Sequence, residues 1–133
     1  MLYETDYWFW ESTIPSNLCD DIVQHGLSKQ ESKAWTGTAE DPTPEETADK
    51  IRQSNVSWLD DRWIYDIIQP YVTQANESAG WNFEWDWSET IQFTKYKLNQ
   101  FYDWHQDAYN KPYPDDGNPN RTGKIRKLSI IVT

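Results

Sequence analysis

Near residue 80 the hydrophobic period of this chain changes from 3.6 to 2, and that change restricts the folds open to it. Before it, Ile64, Ile67, Ile68, Tyr71, Val72 and Ala75 recur at helical spacing from Asp60 onward, with Gly80 marking the end. Pro70 lies inside that pattern and predicts a bend or a local break. After it, Phe83, Trp85 and Trp87 alternate with Glu84 and Asp86, the period of a strand with one wet face. Thr90 to Lys97 reads as a further strand, Asn99-Gln100 as a turn, and Phe101 to Asp107 as a third strand. A loop rich in Pro, Asp, Asn and Gly follows over 110–123, and then a β-prone run from Arg126 to Thr133.

The N-terminal part carries helix signals. Ser16 suits the N-cap of a short helix holding Leu18, Ile22 and Val23, with Asp20 and Asp21 near its start and Gly26 as its stop. His25 falls at the far end, in a capping or surface role. Residues 28–42 read as loop. Thr43-Pro44-Glu45-Glu46 then offers an N-cap, a Pro at the first helical position and a capping-box Glu. Ile51 to Leu59, with Val56 and Trp58, fits a strand. Helices first and strands afterwards predict an α+β fold with helices packed on an antiparallel sheet. The expectation is one domain over 1–133, with 1–80 as helical support and 81–133 as the first strands of the core; 133 residues suit a single core.

Charge removes several function classes. With 22 acidic against 12 basic residues the net charge is −10, the wrong sign for neutralising phosphates or docking on anionic membrane. No apolar run approaches the roughly 20 residues of a membrane span, and Met1 to Asp6 lacks the plan of a signal peptide. A cytoplasmic protein with no nucleic-acid or membrane partner is expected. Cys19 is the single cysteine, which excludes an internal disulfide and a cysteine-based zinc site. The basic residues concentrate late: residues 105–133 hold 5 basic and 3 acidic side chains, against 7 and 19 before them. Arg121, Lys124, Arg126 and Lys127 therefore read as solvated turn and edge charges, or else as an attraction for a small anion. The aromatic share is high, at 16% with nine Trp, although mean hydropathy is −0.93, so the rings build either a core or a stacking surface.

His105-Gln106-Asp107 is the pattern that bears chemistry. In a strand, His105 and Asp107 would project from one side about 7 Å apart. An imidazole and a carboxylate so placed are two of the three ligands in the facial triad of non-haem Fe(II) oxygenases. A chance H-x-D is expected in roughly one chain in five of this composition, so the pair needs context.

That context is the stretch from Gln92 to Asp107, which resembles the iron-binding segment of 2-oxoglutarate/Fe(II)-dependent dioxygenases. The prolyl-4-hydroxylase-like group, including the PKHD-type hydroxylases, is the nearest branch. Tyr96 lies nine positions before His105, an aromatic and a turn intervene, and H-x-D follows, as in that group. Asn99 stands where the family often has Gly. Downstream, Arg126-Lys127-Leu128-Ser129 looks like the Arg-x-x-Ser/Thr segment leading into the next strand. Ile14-Pro15, and Arg52 with Ser54 before Trp58, match the N-terminal part more loosely.

The resemblance implies part of a double-stranded β-helix (jelly-roll or cupin-like), incomplete at the C-terminus, with N-terminal helices packed on it. It implies that His105 and Asp107 bind Fe(II), that Tyr96 hydrogen-bonds 2-oxoglutarate, and that Ser129 lines the same pocket. The implied activity is hydroxylation of an unactivated C–H in a peptide or protein side chain, of prolyl or lysyl type, or in a small molecule. Fe(II), 2-oxoglutarate with O₂, and ascorbate are the implied cofactors. Tyr102 and Trp104 should face away from the metal and pack under helices, while Phe101 and Asp103 share its face. The family's second His and its Arg for the distal carboxylate of 2-oxoglutarate have no counterpart after His105. The expectation is a C-terminally truncated oxygenase, inactive alone. Two other readings stand beside it: a non-catalytic oxygenase fold used for protein contacts, and an acidic carbohydrate-binding module stacking sugars on Trp81, Trp85 and Trp87.

Overall fold

The computed structural model describes residues 5–34, 44–108 and 111–133, and gives a mixed α+β chain with small antiparallel sheets. Among the described residues the strands form no closed barrel. The chain divides into two compact units. One comprises Ile14–Asp60 and Thr90–His105; the other comprises Met1–Thr13, Asp61–Glu89 and Gln106–Thr133.

In the first unit, helix α1 (Ser16–Ser28) starts behind Pro15, whose carbonyl accepts from the amides of Leu18 and Cys19 at 3.0 and 3.1 Å. No side chain caps it, so Ser16 is the first helical residue and not the cap. Gly26 does not stop the helix either. It is buried inside the last turn, and its carbonyl accepts a 3.0 Å hydrogen bond from Ser57 Oγ. The helix therefore runs two residues past Gly26, because that glycine serves close packing on the sheet and not a turn.

The sheet beneath α1 has the order β1-β3-β4, all antiparallel: β1 (Ser32–Lys33), β3 (Asn55–Leu59) and β4 (Ile91–Lys95). Ser57 stands opposite Phe93 in the β3–β4 register, so both side chains belong to one face. Val56, Ser57 and Leu59 are buried and Trp58 is exposed, a β3 covered on most of both faces. Helix α2 (Glu45–Ile51) runs directly into β2 (Arg52–Gln53), which pairs with β5 (Phe101–Tyr102). The single strand expected over 51–59 is thus two short strands in two sheets. Pro44 opens α2, accepting from Thr47 and Ala48; the cap role given to Thr43, the Glu46 side chain and loop positions 35–42 lie outside the described residues.

In the second unit, helix α3 (Arg62–Ser78) continues through Pro70 without a break, so of the two expected outcomes, bend or local break, the break does not occur. Proline removes one amide donor, and the turns on either side hold the helix together. Gly80 ends it as expected, at φ +70. The alternating run 83–87 is half-buried and exposed in turn, yet it joins no ladder. The Phe83 backbone is committed elsewhere: Asn76 receives its amide on Oδ1 at 3.0 Å and donates Nδ2 to its carbonyl at 2.9 Å. Residues 126–133 likewise form no strand, and Ile131 is 79% exposed. Apolar β-branched residues favour a ladder only where a neighbouring edge accepts them.

Candidate functional site

The chain leaves its β2–β5 ladder just before the H-x-D motif. Arg52 and Tyr102 are cross-strand partners, and the amide of Asp103 still reaches the Ile51 carbonyl at 2.8 Å. From Asp103 to Ala108 there is no strand, so the third strand expected over 101–107 shrinks to two residues. The period-2 argument that put His105 and Asp107 on one face loses its basis with it.

His105 is exposed, and its contacts include two within its unit. Its Nδ1 lies 2.8 Å from the Asp103 carbonyl oxygen, and its ring stacks on Tyr102 with centroids 3.5 Å apart and planes 9° from parallel. A carbonyl only accepts, so Nδ1 is the donor in this contact. Tyr102 in turn lies under Arg52, whose guanidinium carbon is 4.4 Å from the phenol ring centroid. Arg52 is buried and donates Nε to Ser54 Oγ at 2.8 Å. Tyr102 therefore does not face away from His105; it is the surface on which His105 rests. Trp104, expected in the core, is 99% exposed, because outside a ladder its side chain has no layer to enter.

Asp107 belongs to the other unit and is half-buried there. Ser129 Oγ donates to its Oδ2 at 2.7 Å, and Arg126 Nη1 donates to its backbone carbonyl at 2.7 Å. The Arg-x-x-Ser segment thus grips Asp107 at both ends, Arg126 on the main chain and Ser129 on the carboxylate. Arg126 is itself held by Glu89, with Nε 2.6 Å from Oε2, and the Tyr113 hydroxyl bonds the other oxygen of Glu89. Ser129, the expected lining of a co-substrate pocket, is bonded here to Asp107. Two more of the late basic residues pair locally with acids: Lys124 with Asp86 at 2.7 Å, and Arg121 with Asp116. Those acids, and Glu89, carry no motif and were not legible in the sequence.

Tyr96 follows β4 and is half exposed, at 49%. Trp81, Trp85 and Trp87 are all half-buried, and Trp81 donates its indole N–H to the Thr5 carbonyl at 2.6 Å. Among the described residues no group of three or more His, Cys, Asp or Glu is placed to hold a metal ion. The two motif residues still suit one in kind. Imidazole nitrogen and carboxylate oxygen are the donors a borderline divalent ion takes. A ring whose second nitrogen is tied to a carbonyl, and a carboxylate oriented by a hydroxyl, are the supports that metal ligands ordinarily carry. No helix is long and apolar enough to cross a membrane among the described residues. Comparison of the chain with protein-family models, curated proteins and solved structures finds no match.

Proposed function

We propose that this chain carries the metal-binding motif of a 2-oxoglutarate/Fe(II)-dependent dioxygenase of the prolyl-4-hydroxylase-like kind, on part of a double-stranded β-helix. The observation that supports it is the contact of His105 Nδ1 with the Asp103 carbonyl, the kind of tie on the second ring nitrogen that metal-ligating imidazoles carry. In this reading His105 and Asp107 hold Fe(II), and Tyr96 donates its hydroxyl to a 2-oxoglutarate carboxylate. The bound ion and co-substrate supply the oxidising chemistry that hydroxylates a C–H of a prolyl or lysyl side chain or of a small molecule. The chain's own residues orient the ligands: the Asp103 carbonyl holds His105 Nδ1, Ser129 aims the Asp107 carboxylate, and Arg126 anchors the Asp107 backbone.

A facial triad takes a third protein ligand beyond this pair. The 133 residues are accordingly expected to bind a divalent ion weakly and to show no turnover. Titration with Co(II), followed by its visible absorption, tests the assignment. Binding lost in both His105→Ala and Asp107→Ala supports it; binding unchanged in either variant overturns it. Succinate formation above the His105→Ala control would show that two ligands suffice.

A further inference from the structure

Arg52, Tyr102 and His105 form a short column: guanidinium near phenol, phenol parallel to imidazole. Each member is fixed by a different part of the same unit. Arg52 is 6% exposed and tied to the buried hydroxyl of Ser54. Tyr102 sits opposite Arg52 in the β2–β5 register. His105 lies beyond the ladder, on a segment with no secondary structure to hold it. An exposed imidazole on such a segment would otherwise sample several rotamers, and a ligand that must first be ordered binds more weakly. A cation against the Tyr102 ring and a ring face against His105 both favour one arrangement.

We propose that Arg52 is a positioning residue for His105, acting through the Tyr102 ring. The column holds the imidazole in one orientation, with the Asp103 carbonyl on Nδ1. The consequence for metal binding rests on the function proposed above; the ring orientation itself does not.

Two readouts on the whole chain separate these. The first is the NMR shift of the His105 ring protons, which the stacked phenol moves away from the free-histidine position. Tyr102→Leu removes the ring and returns those shifts toward the free value, Tyr102→Phe retains the displacement, and Arg52→Lys reduces it partly. Circular dichroism of each variant reports folding, and Tyr102→Phe keeps the test open should Tyr102→Leu not fold. His105 shifts identical in wild type and Tyr102→Leu, or already at the free value in both wild type and Tyr102→Phe, overturn the inference. The second readout is Co(II) affinity, expected to fall about tenfold in Tyr102→Leu and Arg52→Lys and less than twofold in Tyr102→Phe. Displaced ring shifts with Co(II) affinity unaltered in the variants defeat the positioning role. Absence of His105-dependent Co(II) binding in wild type defeats the proposed function and leaves the ring orientation to be decided by the shifts.

Discussion

Gly26 in helix α1 lies against the ring of Phe93 in β4, so close that a Cβ on Gly26 would come within 2.5 Å of Phe93 Cγ. The approach is possible only because Gly26 has no side chain. It also lets Ser57, the cross-strand neighbour of Phe93, reach the Gly26 carbonyl. Gly26→Ala gains about 1 kcal/mol of helix propensity but overpacks a filled contact, at a cost of about 1–3 kcal/mol. The expected result is a lower urea midpoint; a midpoint above wild type would contradict the packing.

Asn76 replaces a strand partner for Phe83. Its side chain is buried and makes both a donor and an acceptor bond to the Phe83 backbone. Asn76→Ala leaves those groups unpaired and should lower stability by about 1–3 kcal/mol. Equilibrium unfolding followed by Trp fluorescence reads this directly, since Trp81 and Trp85 flank Phe83.

Ser129 is exposed, so its loss should change folding stability by less than about 0.5 kcal/mol. Its bond to Asp107 predicts a different effect on metal binding. Ser129→Ala should weaken Co(II) binding about tenfold, even without 2-oxoglutarate. Weakening seen only when 2-oxoglutarate is present would instead assign Ser129 the co-substrate role.

Trp104 provides a contrast with the helix-covered position expected for it. At 99% exposure its replacement by Ala should leave the unfolding midpoint unchanged within about 0.5 kcal/mol. A loss of several kcal/mol, typical of a truncated core aromatic, would place the side chain in a packed layer.

The local elements were legible where one segment satisfies its own backbone. Helix α3 follows the spacing of Ile64, Ile67, Ile68 and Ala75, and its hydrogen bonds close within the helix. Gly80 reads as a helix end and Asn99 as part of a turn, and both adopt positive φ, at +70 and +64. The H-x-D pair and the Arg-x-x-Ser segment were also readable as residues. What they touch was not. That Ser129 meets Asp107 depends on two segments 22 residues apart. That His105 rests on Tyr102 depends on where β5 stops.

Sequence alone determined the helix α3, the strand β4 and the turns, because periodicity and φ preference act over a few neighbouring residues. Tertiary structure alone decided that 83–87 and 126–133 join no ladder, that Gly26 packs instead of ending a helix, and that Trp104 lies in solvent. A strand needs a partner edge and a close contact needs an opposing surface, and both come from distant parts of the chain.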